Sequence, residues 1–231
     1  MPKIHASLSV AQQQIAITVA RGFHFWTSGV VIIEKFSRFA DSFGERYGTD
    51  LSRGVRQYRH SRGLGNAHLI CWQTGSEVHW WLLVSDGKHP AQMHERLRDA
   101  RKSAERITFG SDYVLLESTR LREYGGGTRW TWFLTRDCEA GEARGLAKIA
   151  QEGNPASLRG YCQTLIHRPM HSGVRSQTAK MLRRAAKVWH QHHAKPWPGP
   201  DPSTLPIMQF LRSAQQTGPV ITVDFVQDPP A

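Results

Sequence analysis

The stretch NAHLICWQTGSEVHWWLLVSDG, residues 66–87, holds two apolar, aromatic-rich runs separated by Gln73-Thr74-Gly75-Ser76, which is turn chemistry between paired strands. Successive side chains of a strand point to opposite faces of its sheet, so adjacent Trp80 and Trp81 must lie on opposite sides. One face of the sheet built around this hairpin therefore carries aromatics that are either exposed or covered by helices. Trp72, Trp130 and Trp132 join them on expected strands. Exposed rings of this kind stack bases in single-strand binders, whereas covered ones are core.

Other segments are read around that hairpin. The segment KIHASLSVAQQQIAITVARG alternates at Ile4, Ala6, Leu8 and Val10 and again at Ile15, Ile17 and Val19, and is read as extended. SGVVIIEKFSRFADSFGERYG spaces Ile32, Phe36, Phe39 and Phe43 as a helix, with Ser28 as its cap and Gly48 beyond its end. KHPAQMHERLRDARKSAERI opens with Pro90 and sets Met93, Leu97, Ala100 and Ala104 on one side of a second helix. Its Arg96, Arg98, Arg101, Lys102 and Arg106 are expected to pair within the helix with Glu95, Asp99 and Glu105. DYVLLESTRLREYGGGTRWTWFLTRD reads as a second hairpin turning at Gly125-Gly126-Gly127.

Up to residue 136 the order is β, α, β, β, α, β, β. It predicts an α+β protein with a ferredoxin-like (split βαβ) core, an added β-hairpin and a basic helical extension. Three units are expected: the core over 1–136, a basic helical region over 137–195 divided at Pro169, and a Pro-rich tail over 196–231. The tail carries a short helix around 207–216 and a final strand, PVITVDFVQ, that returns to the core.

Charge narrows the function. Thirty Lys and Arg against nineteen Asp and Glu give +11, a self-repulsion that a polyanion would screen. No acid occurs from Gly153 through Pro200, where Arg159, Arg168, Arg175, Lys180, Arg183, Arg184, Lys187 and Lys195 all fall. On a helical wheel Lys180, Arg183, Arg184 and Lys187 oppose Leu182, Ala185, Ala186 and Trp189, giving a cationic side and a core side. LSRGVRQYRHSRGLGNAHL reads as a flexible loop that adds Arg53, Arg56, Arg59, His60 and Arg62 around Tyr58, the mixture a phosphate-binding or base-stacking loop needs. Arg53, Arg56, Arg59 and Arg62, with Arg159, Arg168, Arg175, Lys180, Arg183, Arg184 and Lys187, are thus the expected contacts to a DNA or RNA backbone.

Metal and cofactor chemistry are not expected. His190, His192 and His193 diverge around the helix, without an acid or cysteine beside them, and suit a helix terminus instead. Cys71, Cys138 and Cys162 are odd in number and far apart, which points to a reducing compartment. His79 is followed two residues on by Trp81, so the His-apolar-His metal pair of rolling-circle initiators and relaxases is missing, and Tyr161 gains no role as a nucleophile.

The expected function is nucleic-acid binding, as a subunit of bacterial mobile-element replication or transfer, or of RNA-guided machinery. An alternative is a metal-independent RNA endonuclease of the CRISPR-RNA-processing kind, with His5, His24, His60 or His167 beside an arginine. Another is a protein adaptor docking through its tryptophans. Apolar runs such as GVVII and WWLLV are too short to span a bilayer, and a cytoplasmic, membrane-free protein is expected.

Overall fold

The computed structural model describes residues 4–119 and 126–208. In order they form Ile4–His5 (β1), Leu8–Ala20 (α1), Phe25–Ile32 (β2), Ile33–Tyr47 (α2), Arg53–Ser61 (α3), Ala67–Thr74 (β3), Glu77–Val84 (β4) and Ala91–His94 (α4). There follow Arg98–Asp99 (β5), a 3-10 turn at Ser103–Glu105, Thr108–Phe109 (β6), Tyr113–Thr119 (β7), Thr128–Leu134 (β8), Arg136–Glu152 (α5), Pro155–Ile166 (α6) and Ser172–His192 (α7). A mixed five-stranded sheet has the order β1-β3-β4-β2-β5, and an antiparallel three-stranded sheet has the order β6-β7-β8.

The expected hairpin lies at the centre of the larger sheet, with Ala67 opposite Val84 and Thr74 opposite Glu77. Its two tryptophans do face opposite ways. Trp80 packs on Phe39 and Phe43 of α2, with ring centroids 5.2 and 5.3 Å away. Trp81 stacks on Phe109 at 4.7 Å. On the Trp80 side, Phe36, Ala40, Phe43 and Tyr47 of α2 bury against Ala67, Leu69, Leu82 and Val84. On the Trp81 side one continuous core joins Ile15 and Val19 of α1, Trp26 and Leu83 of the sheet, Trp132 of β8, and Leu146, Leu158, Leu182 and Trp189 of the last three helices.

Helix α1 replaces the extended segment expected there. Val10, Ala11, Ile15, Ala16 and Val19 are buried, and so are Gln12, Gln13 and Thr18. The helix touches both sheets, so it has no broad polar face to mark a 3.6-residue period. Its polar groups are used inside: Trp132 Nε1 donates to the Gln12 carbonyl at 2.7 Å, and His171 Nε2 lies 3.0 Å from Gln12 Oε1.

The helix expected from Ser28 starts only at Ile33, because the β-branched run before it pairs with β4 as strand β2. Gly29 in that strand makes room for Trp80, whose ring would be 2.6 Å from any added Cβ. The left-handed Gly48, at φ 63°, ends α2 as the sequence implied.

Over 88–107 the expected helix is reduced to α4, β5 and the 3-10 turn. Its acids serve other partners. Tyr47 Oη donates to Glu95 at 2.5 Å, the Asp99 N–H donates to Glu105 at 2.6 Å, and Phe25 and Trp26 pair with Asp99 and Arg98 as strand. Met93, placed on the apolar side in the helical reading, is 85% exposed. Of the pairs expected within that helix, Lys102 still meets Glu105 at 3.6 Å, and Arg101 turns to Asp99 at 2.8 Å.

The class is α+β. The ferredoxin-like order is not confirmed: a helix stands over most of the first expected strand, the second helix is cut to the four residues of α4, and β6 to β8 form a separate sheet. The second hairpin forms as β7 and β8, with Gly126 and Gly127 at positive φ; Gly125 lies outside the described residues. Helices α5 and α6 meet at left-handed Gly153, Asn154 caps α6 with Pro155 at its start, and Pro169 falls between α6 and α7. The final strand, and the short helix from residue 209 on, lie outside the described residues.

The last helix is fastened to the second sheet. Gln177 accepts from the Leu134 N–H at 2.8 Å and donates to the Leu134 carbonyl at 3.2 Å, closing the free edge of β8. Gly173 permits this approach, since a Cβ there would stand 2.3 Å from the Trp132 carbonyl oxygen. Gly173→Ala is therefore expected to destabilise the protein by about 1–3 kcal/mol, as overpacking does. Gly160→Ala, on an open face of α6, should stabilise it by about 0.5–1 kcal/mol through helix propensity. Urea unfolding of the two variants checks the contrast; a stabilising Gly173→Ala would refute the close contact.

Candidate nucleic-acid interface

Helix α7 divides along its length as the wheel predicts. Gln177, Thr178, Met181, Leu182, Ala185 and Trp189 are buried, while Lys180, Arg183, Arg184 and Lys187 are all exposed. The acid-free span begins at the glycine that ends α5 and covers α6, α7 and the turn after them. Arg159 is exposed on α6. Asp201 follows directly, with its carboxyl held below the usual range first by the Ser203 N–H at 2.8 Å and also by the charge of Arg183. Among the described lysines and arginines, only Arg101, Lys102 and Arg168 pair directly with a carboxylate. The α7 cations are therefore available to an external anion.

Four of the eleven expected contacts are committed to the protein itself. Arg168 pairs with Glu142, which also accepts from Tyr161 Oη at 2.6 Å, and its other nitrogen lies 3.4 Å from Cys138 Sγ. Arg175 donates to the Leu205 carbonyl at 3.1 Å and pins the segment after α7. Arg56 donates to the carbonyls of Leu51, Thr49 and Ala67 at 2.8, 2.7 and 2.5 Å. Arg59 donates twice to the Gly65 carbonyl, at 2.9 and 3.3 Å. Arg53, Arg62, Arg159, Lys180, Arg183, Arg184 and Lys187 remain exposed.

The arginine-rich stretch is a helix, α3, and not the flexible loop expected. Ser52 caps it by accepting from the Val55 N–H, and none of its residues is buried. With so little apolar burial, a helix of this length depends on the hooks that Arg56 and Arg59 make to neighbouring carbonyls. The i, i+3 spacing of these two arginines was visible in the sequence; that they face carbonyls was not. Tyr58 is 62% exposed, with the Arg62 guanidinium 5.8 Å from its ring centroid.

The histidines divide in the same way. His193 packs on Trp189 with ring centroids 4.7 Å apart and the planes tilted by 53°, and places Nε2 3.1 Å from the carbonyls of Ala150 and Gln151, satisfying the end of α5. That is the helix-terminus role, played toward a neighbouring helix. His190 and His192 are exposed. Among the described residues no group of three His, Cys, Asp or Glu is placed to hold a metal.

For nuclease chemistry, His24 has its Nδ1 3.8 Å from Asp86, which also lies 3.7 Å from Arg101. Arg101 is in turn held by Asp99 at 2.8 Å. His167 turns back to the Gln163 carbonyl at 2.7 Å, and His60 is exposed on α3. Burial, together with its hydrogen bond to Glu142, pushes the Tyr161 hydroxyl up to about 12, the wrong direction for a nucleophile. The tryptophans that an adaptor would use are largely core: Trp81 is 4% exposed and Trp132 fully buried. No helix among the described residues is long and apolar enough to cross a membrane.

Compared with known proteins, the chain matches no family model, and no curated protein or solved structure is significantly similar to it.

Two expectations follow from these partners. Arg56→Ala removes charge-assisted bonds to three carbonyls and should cost about 2–4 kcal/mol. Arg53→Ala, on the open side of α3, should stay within about 0.5 kcal/mol of wild type. Equal unfolding midpoints for the two would show that α3 does not hang on its hooks.

The second concerns pH. Burial holds the His68 ring down to about 4, helped by the charges of Arg56 and Arg21, and burial alone does the same for His171. Both rings are neutral in the folded state, while the unfolded chain takes up protons near the ordinary value of about 6.5. Stability is thus greatest above about pH 6.5 and falls as the pH drops toward 4. Urea midpoints read from about pH 7 down to 5 check the sign, and a rise on acidification would contradict it.

Proposed function

We propose that this protein binds nucleic acid by its phosphate backbone, with the exposed face of α7 as the principal grip. The supporting observation is the pairing of two facts about one helix. Its apolar side is locked into the core, and its other side presents Lys180, Arg183, Arg184 and Lys187 without a carboxylate partner. Held on a rigid helix, such cations replace the counterions condensed on a polyanion, and the released ions drive binding. Arg159 adds an exposed cation on α6, and Arg53 and Arg62 add two more on α3. Contacts of this type fix affinity and salt dependence without choosing a sequence.

Replacing Arg183, Arg184 and Lys187 together with Gln tests the reading. Binding to labelled duplex DNA, single-stranded DNA and hairpin RNA is measured at several salt concentrations. The plot of log affinity against log salt for the duplex should lose roughly 2–3 units of slope in the variant, about 0.9 for each phosphate contact removed. Circular dichroism should be unchanged, because all three side chains are exposed. An unaltered slope would remove α7 from the interface. Metal-independent cutting of the RNA on the same gels would instead favour an endonuclease using His24 beside Asp86 and Arg101.

A further inference from the structure

Helix α3 has an architecture that backbone binding alone does not require. The chain from Leu51 to Ser76 contains no Asp or Glu, so the helix and the strand after it carry no acid of their own. Eight of the ten residues 53–62 are exposed; the two that are not are the hooks Arg56 and Arg59. At 100° per residue the hooks define the inward side. The opposite side is centred on Gly54 and Ser61, with Gln57 and Tyr58 next to them and Arg53 and Arg62 at the rims. No atom stands within 4 Å of a Cβ placed on Gly54. The outer face is thus low along its midline, carries one amide and one ring, and is cationic at both margins.

We infer that α3 enters the major groove of duplex DNA and reads base edges there, with Arg53 and Arg62 on the flanking phosphates. The inference rests on the nucleic-acid reading of the preceding section and names the polymer. A helix with its side chains is about 10–12 Å across and fits the roughly 12 Å major groove of B-form DNA. Small residues at Gly54 and Ser61 let the helix axis sit deep between the strands. The Gln57 amide has the donor and acceptor that match adenine N6 and N7, and the Tyr58 ring offers apolar contact to a thymine methyl.

Single strands fit this face less well. Binders of single strands use several exposed rings in succession, and Tyr58 is the one exposed aromatic among the described residues. Double-stranded RNA is disfavoured too, because its major groove is too narrow for side chains to read.

The test is selection from a randomised duplex DNA library with the full chain, followed by dimethyl sulfate protection of guanine N7, a major-groove atom, on the selected duplex. Wild type should enrich a limited set of sequences and protect N7 within them. Gln57→Ala combined with Tyr58→Ala should lower the ratio of selected-to-bulk duplex affinity by about 10-fold or more, the scale of a lost base-edge pairing. The Gln triple variant of α7 should instead weaken selected and bulk duplexes alike.

Duplex binding by wild type with no enrichment, or tighter binding to single strands or hairpin RNA, would overturn the major-groove assignment and leave the α7 grip standing. Failure to bind any polymer at low salt would remove both.

Discussion

The structure depends on one strand having to be covered twice. Trp80 and Trp81 sit next to each other on β4 and point in opposite directions, so neither face of the sheet can be given to water. Helix α2 answers on one side with three phenylalanines, two of them ringed around Trp80. The other side is answered by α1 and by a second sheet, whose Phe109 lies flat on Trp81 and whose Trp132 is fully buried. Each fully buried large apolar side chain contributes about 1.5–3 kcal/mol, so the aromatic layers on both faces account for much of what holds the chain together.

Helix α7 lies along the free edge of the second sheet, and its apolar side joins that same core. Here the same economy of burial produces the charged surface. Once Leu182, Ala185 and Trp189 turn inward and Gln177 closes the edge of β8, the period of the helix leaves Lys180, Arg183, Arg184 and Lys187 nowhere to point but outward. The rigidity of the cationic face is therefore inherited from the core. Arginines near backbone carbonyls or acids behave differently. Arg56 and Arg59 hold α3 in place, Arg175 ties down the segment after α7, and Arg168 with Glu142 and Tyr161 braces α5 against α6. Charge in this protein serves two purposes, and the residue type alone does not say which.

Both hairpins were legible because strand alternation and turn residues are local properties; the Gly75-Ser76 turn and the paired glycines at 126 and 127 could be read without knowing the fold. The two faces of α7 were legible for the same reason, as was the glycine that ends α2. Helix α1 was hidden because burial on nearly every side erases amphipathic periodicity, and its apolar residues happen to alternate. The segment over 88–107 failed in the opposite way. Its helical spacing is present, but Glu95 is taken by Tyr47, Glu105 accepts from the Asp99 N–H, and the backbone of Arg98 and Asp99 pairs with β2 as strand.

By itself, then, the sequence determined the two hairpins, the opposite facing of Trp80 and Trp81 and the concentration of positive charge over 153–200, because each follows from the order of neighbouring residues. Only the tertiary structure decided that β6 to β8 form a separate sheet, that the residues before β2 coil into a buried helix, and that four of the eleven expected cationic contacts bond to the protein itself. Those outcomes turn on which carbonyls, carboxylates and apolar surfaces come within a few ångströms of one another from distant parts of the chain, and local spacing carries no record of that.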